Sequence, residues 1–554
     1  MRTFLITIFI LLVTAPCITC QEFVISRSLT YADGSSGFSR VKPGDTVWIQ
    51  SGNRDWLKIA NFHGQPGKPV VFVNLDGQVI LDTDKSYGLS FAGCSFIKLS
   101  GQQGPGYIFG FRVQRASSSN GIGISAGEKS TDFEIENCEV TNVGFAGIMA
   151  KTEPTCDDPG TYRNAFTQYN TSIHDCYVHD VTGEGLYVGH SFYSGFYLAE
   201  CNSTIFPSVL IGTQIYNNRI ERTGWDGIQV SSAIRDCEIH DNELIDCSYL
   251  MENSQMSGII IGGGTQAKCF NNKIIDGYAT GILVFGKGGT EVYNNLIVRP
   301  GKRNMPNDPG LREHGIYLSD KTGDEKTYYG VYNNTIFQPK SDGIRIDNTV
   351  NFDVRIFNNA IIDPGAYIQY ENDNTDRTGF DSYIFDTGKS GLYHSSNNFF
   401  SQSSDPAGFA NVAGNNFRLQ PGSPMIDAGL NLLYAGVIID LDGRSRPVGA
   451  EFDIGAYEYS ASQSIGENDP GPDFTVSSIQ IDPGKTLVLN LIGSRDMIVN
   501  LCLIDLLGRV VCEQQNLAVG VGNNKLALPA NTGKMLILII RSDRLTYARK
   551  IVRL

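Results

Sequence analysis

The chain of 554 residues is poor in charged residues, tryptophan and histidine: 18% of its residues are charged, and it has 3 Trp and 7 His. Long apolar segments are also scarce. The apolar run from Phe4 to Val13, which follows Met1-Arg2, is too short to span a membrane and is typical of a secretory signal. We therefore expect residues 1–20 to be a signal peptide and expect no transmembrane anchor. The protein should be secreted or held on the outer cell surface after passing through the periplasm.

Clusters of basic residues are missing as well. The formal net charge is −14, and no Lys/Arg run is interleaved with aromatic residues, so nucleic acid is not expected as a partner. No glycine-rich nucleotide loop, zinc-ligand spacing or Gly-x-Ser-x-Gly motif occurs in a supporting context. The sequence therefore assigns no metal ligand and no cofactor. Its acidic character leaves calcium open as a ligand, but we interpret the stretch from Asn372 to Asp376 as a solvated loop.

Glycine and asparagine, in contrast, recur in a pattern. Asn-Asn followed two places later by an apolar residue occurs at Asn217-Asn218, Asn271-Asn272, Asn294-Asn295, Asn333-Asn334 and Asn358-Asn359. Glycine followed by alternating apolar residues occurs between these pairs, at Gly227, Gly258, Gly281, Gly315 and Gly343. Each period, of roughly 23 to 42 residues, therefore contains two short strands separated by turns, which is typical of a solenoid.

In such a solenoid, successive coils pair as parallel strands about 4.8 Å apart. An asparagine at each turn tolerates a left-handed backbone, and its amide can bond to the equivalent asparagine of the next coil to form a ladder. Asn242, Cys176 and Cys138 occupy the same place in earlier coils. On these residues, positions of about 45 to 400 resemble the right-handed parallel β-helix family. That resemblance implies the fold but not one function, because the family includes polysaccharide lyases, polygalacturonases, epimerases, phage tailspikes and adhesins.

The C-terminal part reads as a separate unit. Residues 460–475 are polar and contain Pro, Gly and Asp, which predicts a linker. Residues 476–554 contain a Gly508-Arg509 turn, a late Gly533 before an apolar strand and the basic-apolar end Arg549 to Leu554. This order is similar to the C-terminal sorting domain of type IX secretion substrates, which would make the type IX secretion machinery a partner. An ordinary immunoglobulin-like module is the alternative.

The predicted fold class is thus all-β, with a right-handed parallel β-helix solenoid at 21–459, capped at both ends, followed by a small C-terminal β-sandwich. We expect a monomer. The residues from Pro421 to Tyr459 resemble the closing segment of exported β-helix proteins, and we interpret Asp427, Asp442 and Asp453 there as structural. Of the 12 Cys, Cys156 and Cys201 lie in neighbouring insertions and are expected to form a disulfide. Cys502 and Cys512 could pair or remain thiols.

Insertions after Lys151, His190, Gly301 and Tyr370 predict loops that wall a groove on the outer face. Beside the first two, a first cluster is predicted on adjacent coils. Its proposed catalytic residues are Glu184, Asp226, Lys151 and His190, and its proposed substrate-binding residues are Tyr187, Trp225 and Gln229. Two carboxyl groups one coil apart can raise each other's pKa and form an acid–base pair. The alternative is that both acids only bond to backbone amides of turns.

A second cluster is predicted around His314, Tyr317 and Arg345, which we assign to substrate binding, together with Arg312, Glu313, Asp342 and Asp347. His314-Gly315 and Arg345-Ile346 are similar to two polygalacturonase motifs. The similarity then ends, because Thr280 and Ser257 stand where that family needs aspartates and Asp347 replaces its lysine. This cluster therefore lacks the acid and base that flank a scissile bond.

These features favour an exported protein that acts on polysaccharide, as a lyase or glycoside hydrolase, along the outer face of the solenoid. The alternative is a non-catalytic cell-surface protein that binds glycan or mediates adhesion.

Overall fold

The structure is a computed structural model. It describes residues 23–302, 313–319, 328–347, 353–365, 383–387 and 393–460, and, in the C-terminal part, 474–481, 486–493, 496–505, 510–520, 522–529, 536–541 and 546–551. The expected signal peptide, the linker between 461 and 473, Arg312, the loop after Tyr370 and most of the loop after Gly301 lie outside the described residues.

The main body is a solenoid whose coils present three strand faces. Among the described residues, one sheet has 23 strands and another has 12, and their neighbouring strands run parallel. Each regular coil enters the larger sheet before the asparagine turn (the first face) and again after it (the second face). It then enters the smaller sheet (the third face). The predicted right-handed parallel β-helix is thereby confirmed.

The solenoid begins with Phe23–Ile25 and with two long strands that run through both faces of the larger sheet, Thr46–Arg54 and Val70–Thr83. The first face continues with Ser95–Ser100, Thr131–Glu136, Thr171–His174, Gln214–Tyr216, Cys237–His240, Ala267–Phe270, Thr290–Tyr293, Tyr328–Tyr332, Asp353–Phe357 and Tyr393–Ser396. The second face continues with Phe111–Ala116, Cys138–Thr141, Tyr177–Val181, Arg219–Thr223, Glu243–Ile245, Lys273–Ile275, Leu296–Val298, Thr335–Phe337, Ala360–Ile362 and Phe399–Ser401.

The third face carries the glycine motifs. Its strands are Tyr31–Asp33, Leu57–Ala60, Tyr87–Ala92, Ile122–Gly127, Ile148–Ala150, Leu186–Val188, Ile228–Val230, Ser257–Ile261, Thr280–Val284, Ile316–Ser319, Ile344–Asp347 and Ile384–Asp386. Inward side chains such as Ile148, Leu186 and Ile228 are fully buried. Because each added coil extends the same apolar core, the solenoid can be long without a wide globular interior.

Shorter elements decorate the solenoid. A small parallel sheet contains Thr167–Tyr169, Val209–Ile211 and Ala233–Arg235. Two antiparallel hairpins pair Phe196–Leu198 with Ser203–Ile205 and Phe409–Asn411 with Asn416–Leu419. Single 3-10 turns lie at Pro159–Thr161, Ala199–Cys201, Asp405–Ala407, Val412–Gly414 and Leu433–Ala435. Nowhere in the described ranges is there a helix long and apolar enough to cross a membrane.

A column of buried asparagine side chains runs through the turn between the first and second faces. Nδ2 of Asn272 donates to Oδ1 of Asn295 at 3.0 Å, and Nδ2 of Asn295 donates to Oδ1 of Asn334 at 2.9 Å. The same Oδ1 atoms also accept backbone N–H groups. The column comprises Asn218, Asn242, Asn272, Asn295, Asn334, Asn359 and Asn398. The predicted ladder is confirmed.

The two asparagines of each pair have different roles. The first residue has a left-handed backbone, with φ of 55° at Asn217 and 54° at Asn294, which a short polar side chain tolerates. The second supplies the ladder amide. Cys176 continues the column as predicted, because its backbone N–H donates to Oδ1 of Asn218 at 3.1 Å.

The closing segment contacts the side of the solenoid. Nδ2 of Asn333 donates to the backbone oxygen of Asp453, and Nδ2 of Asn358 donates to that of Leu430, both at 2.8 Å. Nδ2 of Asn397 donates to the backbone oxygen of Ala428 at 2.8 Å. We expected this segment to close the end of the solenoid; its contacts are instead with successive asparagine turns along one side. In the later coils, from Asn294 onward, the first asparagine of the turn is therefore also an anchor for this segment.

The three aspartates of the closing segment that we interpreted as structural all have local partners. Oδ1 of Asp427 accepts the backbone N–H groups of Ala450 and Glu451 at 2.7 and 2.9 Å. Asp453 accepts the N–H of Asp427 at 2.7 Å, and Asp442 forms a two-point ion pair with Arg418 at 2.6 and 2.7 Å. These bonds hold the segment together.

The cysteines divide into one bridge and buried thiols. Cys156 and Cys201 form the predicted disulfide, which ties together the insertions that follow Lys151 and His190. Cys512 is free, so the pairing with Cys502 that the sequence left open is not formed. Free thiols that lie in the interior are Cys94, Cys138, Cys176, Cys237, Cys247 and Cys269.

The C-terminal unit consists of two antiparallel sheets. One contains Phe474–Ile481, Thr486–Gly493 and Gly522–Pro529, and the other contains Met497–Asp505, Val510–Val519, Leu536–Arg541 and Thr546–Ile551. Buried residues alternate along the strands, as at Leu487, Leu489 and Leu491, which is the pattern of a sandwich with one buried face per sheet. Its first strand begins at Phe474, two residues before the predicted boundary of 476.

Asn295→Leu tests the ladder. The substitution removes the acceptor of the backbone and side-chain N–H groups of Asn272, which become buried without a partner. We expect a loss of about 1–3 kcal/mol for each unsatisfied group, measured by denaturant unfolding. Lys273→Leu, which changes an outward side chain of the adjacent strand, is the control. Equal midpoints for the two variants would contradict a stabilising ladder.

Candidate functional site on the third face

The outward side chains of the third face form a column in register. Met149 pairs with Tyr187, and Tyr187 with Gln229. The column continues through Ile260, Leu283, Tyr317 and Arg345. This order is the one that the alternation of the glycine motifs predicted. Both predicted clusters therefore lie on one face of the solenoid.

The residue before each glycine also stacks from coil to coil. Gly147 N–H donates to the backbone oxygen of Glu184, and Gly185 N–H donates to that of Asp226, both at 2.9 Å. A Cβ at Gly185 would lie 2.5 Å from the backbone oxygen of Gly227 and 2.6 Å from Ile220, so the coils can approach here only through glycine. Glu184 and Asp226 consequently occupy equivalent positions on adjacent coils.

The Glu184 and Asp226 carboxyl groups are buried without compensation. Their residues are 1% and 0% exposed, and Oε2 of Glu184 and both carboxylate oxygens of Asp226 have no hydrogen-bond partner. Burial raises the pKa of Glu184 to about 7. Burial, and then the charge of Glu184, raise the pKa of Asp226 well above its usual value. A turn-stabilising aspartate would accept well-formed hydrogen bonds from backbone N–H groups, whereas neither oxygen of Asp226 has such a partner, and its backbone contact with Ser257 lowers the pKa less than burial raises it.

Two more unpartnered buried atoms lie on the coil of Asp226: Oε1 of Gln229 and Oγ of Ser231. Gln229 donates through Nε2 to Oγ of Ser191 at 2.6 Å, and Tyr187 shares the same hydroxyl at 2.7 Å. Ser191 belongs to the disulfide-tied insertion, so this loop lies over the outward column. Buried polar groups are nearly always satisfied in folded proteins, and several exceptions on adjacent coils mark this surface as a candidate site.

Lys151 and His190 are held by a residue that sequence reasoning missed. Glu153 lies 2.9 Å from Nζ of Lys151 and 3.2 Å from Nε2 of His190. Lys151 also lies over the ring of Tyr187, 4.5 Å from its centroid, and its charge lowers the pKa of Glu184 in opposition to burial. The ring of His190 stacks on Phe196. The structure thus brings Lys151 to the carboxyl pair, whereas the contacts of His190 are with the insertions.

An aromatic group adjoins the carboxyl pair. Phe145 packs edge to face against Trp225 at 5.5 Å and against Tyr187 at 6.1 Å. Phe145 and Trp225 are partly exposed. Phe145 was not singled out from the sequence, although it precedes Gly147 by two residues as Trp225 precedes Gly227. The rings provide apolar surface next to buried acids, which suits a sugar ring.

The second cluster is assembled, but its groups neutralise one another. Asp342 lies 3.1 Å from Nδ1 of His314 and 3.3 Å from Arg345, and Tyr317 donates to Asp347. Burial lowers the pKa of His314. The pKa of Asp347 is lowered because hydrogen bonds from Thr387 and Tyr317 outweigh its burial. His314, Tyr317 and Arg345 are therefore neighbours, and their assignment to substrate binding stays a prediction.

A third group of polar side chains lies on the first face. Glu134, Glu136 and His174 place potential metal-ligating atoms within 4.8 Å of one another. Nζ of Lys98 is 2.8 Å from Glu134 and 2.7 Å from Glu136. Burial alone would lower the pKa of His174, but hydrogen bonds to Asp175 and Glu134 raise it to about 9. Two cationic groups already balance the carboxylates at neutral pH, which fits an ion-pair network better than a metal site.

One family profile and several solved structures are similar to this chain. A family profile described as "Right handed beta helix region" matches residues 115–297. The solved pectate lyase Pel9A is similar over 80% of this chain and 98% of its own, with 12% identity and a TM-score of 0.38. The Azotobacter vinelandii mannuronan C-5 epimerase AlgE6 A-module is similar over 64% of this chain and 91% of its own, with 12% identity and a TM-score of 0.29.

A further solved structure, a PL6 family polysaccharide lyase from Pseudopedobacter saltans, is similar over 71% of this chain and 96% of its own, with 13% identity and a TM-score of 0.31. No curated protein matches the sequence significantly. At these identities the likenesses concern the fold alone.

Amide substitutions test whether the carboxyl pair is strained. Between pH 4.5 and 7 the unfolded chain releases the proton of Glu184 while the folded chain keeps it, so this group lowers stability as the pH rises. Glu184→Gln should therefore stabilise the protein above pH 7, by about 3 kcal/mol, and Asp226→Asn should act in the same direction. The measurement is denaturant unfolding at pH 4 and pH 8.

Asp440→Asn is the matched control, because burial also raises the pKa of Asp440, to about 6. Its carboxylate accepts the N–H groups of Asp442, Arg444 and Glu458 at 2.7–2.9 Å. The amide would turn a donor toward these donors, so this variant should lose stability. Destabilisation of Asp226→Asn to the same degree at pH 8 would show that Asp226 is a structural acid.

Proposed function

We propose that this protein cleaves a polysaccharide by acid–base chemistry at Glu184 and Asp226, as a glycoside hydrolase. The observation that carries the proposal is a pair of buried carboxyl groups on adjacent coils, three of whose four oxygens have no hydrogen-bond partner. Such an arrangement costs stability and does nothing for the fold, which is the usual situation of groups retained for function.

The environment separates the two acids into different roles. Lys151 favours the charged form of Glu184, whose pKa is about 7, whereas Asp226 is fully buried and its pKa is well above the usual value. We assign Asp226 as the proton donor, because burial and the charge of Glu184 raise its pKa, and Glu184, whose charged form Lys151 favours, as the group that becomes a carboxylate. Paired carboxyl groups take separate acid and base roles when their environments give them different pKa values.

In the proposed reaction, Asp226 donates its proton to the glycosidic oxygen as the bond to the anomeric carbon breaks. The Glu184 carboxylate attacks that carbon and forms a glycosyl ester. Water, deprotonated by Asp226, then displaces Glu184 and gives a new reducing end. Equivalent positions on adjacent coils are about 4.8 Å apart, close to the separation of about 5–5.5 Å that supports such a double displacement.

Elimination is less well supported than hydrolysis. A uronate lyase needs a base and a free cationic group that neutralises the substrate carboxylate. Lys151 is held by Glu153 at 2.9 Å and by the ring of Tyr187.

The substrate must displace the side chains that cover Glu184 and Asp226, because these two residues have almost no exposed surface. Trp225 and Phe145 are partly exposed and adjoin the place where the substrate would enter.

Turnover assays test the proposal. Purified protein, incubated with a panel of neutral and acidic polysaccharides, should release reducing ends without the ultraviolet absorbance of unsaturated uronates. Asp226→Asn and Glu184→Gln should each lower the rate at least about 10³-fold, since the acid or the nucleophile is lost. Arg355→Ala, on the first face, should retain the rate of the unchanged protein. Binding without turnover would favour the non-catalytic alternative, and activity in both amide variants would refute the assignment.

We also propose that the C-terminal unit is the type IX sorting domain suggested by its Gly-Arg turn and basic-apolar end. A chain truncated after Ser460 should fold as a solenoid, because every coil contact described above lies before that residue. In a host with type IX secretion, the truncated chain should accumulate in the periplasm while the full chain reaches the cell surface. Normal surface delivery of the truncated chain would contradict the sorting role.

A further inference from the structure

A groove of about 610 Å³ lies at the corner between the second and third faces. Its volume is in the range of sites that hold small ligands. Thr182 and Arg222 line it, and they precede Glu184 and Asp226 by two and four residues. The groove therefore follows the same coils as the carboxyl pair, on the side where each chain turns onto the third face.

Two tyrosines provide the aromatic surface of the groove, Tyr249 and Tyr278. Tyr249 is 39% exposed, and its backbone N–H donates to the oxygen of Thr223 at 3.0 Å. The backbone N–H of Tyr278 donates to the oxygen of Cys247 at 3.0 Å. Both rings are thus carried by backbone that is bonded to the solenoid before any ligand binds, which lowers the cost of ordering them.

Among the described residues that line the groove, the one cation, Arg222, is paired with acidic side chains. Arg222 makes two hydrogen bonds with Asp180, at 2.6 and 2.9 Å, and a third with Glu221 at 2.7 Å. Asp246 adds another acidic residue to the lining. Burial and the charge of Asp180 raise the pKa of Tyr249, which agrees with a negative local potential. A polyanion would meet repulsion here, whereas hydroxyl groups would find carboxylate, amide and phenol partners.

We infer that this groove binds an uncharged stretch of polysaccharide, with sugar rings packed on Tyr249 and Tyr278 and hydroxyl groups bonded to Asp180 and Asn142. The inference rests on the proposed function, because it supplies the substrate class for the adjacent carboxyl pair. It narrows that class to neutral glycans and excludes polyuronates. The apolar faces of sugar rings bury well against tyrosine, and the acidic rim selects against charged residues on the polymer.

Equilibrium binding separates this inference from catalysis. Full-length Asp226→Asn protein is titrated by calorimetry with neutral oligosaccharides cut from glucans, xylans and mannans, and with anionic ones cut from galacturonan and mannuronan. At least one neutral oligosaccharide should bind, and the anionic ones should bind at least about tenfold more weakly. Tyr249→Ala and Tyr278→Ala should each weaken neutral binding roughly tenfold.

Two further variants sharpen the test. Tyr434→Ala removes a tyrosine of the closing segment that is 70% exposed and should leave binding unchanged. Asp180→Asn weakens the neutralisation of Arg222 and should narrow the difference between neutral and anionic ligands. Anionic oligosaccharides that bind as tightly as neutral ones, no binding by any oligosaccharide, or Tyr249 and Tyr278 variants that behave like Tyr434→Ala would each overturn the inference.

Failure of the groove and failure of the proposed hydrolysis have different signatures. Tyrosine-dependent binding by a wild-type protein that releases no reducing ends would refute the catalytic roles of Glu184 and Asp226 and support the groove. Hydrolysis of a polysaccharide at rates that Tyr249→Ala and Tyr278→Ala leave unchanged would refute the groove and support the catalytic pair.

Discussion

Buried amide-to-amide hydrogen bonds between coils are the constraint on which the rest of this structure depends. Each ladder asparagine accepts two N–H groups from one neighbouring coil and donates to the other, so a coil that slipped by one residue would leave several buried polar groups without partners. That cost fixes the register of every coil. Because the register is fixed, any outward position becomes a straight column of side chains, and residues distant in sequence become neighbours at the spacing of parallel strands.

Compared with the satisfied amides of the ladder, the first cluster on the third face stands out. In the closing segment the aspartates bond to backbone N–H groups or to Arg418, and in the second cluster Arg345 lies 3.3 Å from Asp342 and balances its charge. Glu184 and Asp226 occupy equally buried positions on the same face with no such compensation. The fold could hold two apolar residues there more cheaply. The two clusters differ in how their buried carboxyl groups are partnered. This difference, more than their residue composition, is the reason to place chemistry at the first cluster.

The sequence was a good guide where one physical rule acts at every repeat. The spacing of the Asn pairs and Gly motifs predicted the solenoid, the ladder and the register of the outward column, because parallel coils reproduce equivalent positions. The disulfide between Cys156 and Cys201 followed from two insertions on adjacent coils. The position of the closing segment along the side of the solenoid could not be predicted from the repeat. It depends on the side-chain amides of Asn333, Asn358 and Asn397, which lie outside the ladder and bond to this segment. The role of Glu153 depends on the path of an insertion, for which the repeat gives no rule.

The central claim is that Asp226 is a buried carboxylic acid kept protonated at neutral pH by its surroundings. Infrared difference spectroscopy tests it directly, because a protonated carboxyl group absorbs apart from carboxylates and from amides. The spectrum of the wild-type protein at pH 7 minus that of Asp226→Asn should contain one protonated carboxyl band. A carboxylate band in its place at pH 7 would show that Asp226 is charged and partnered, and would contradict the account.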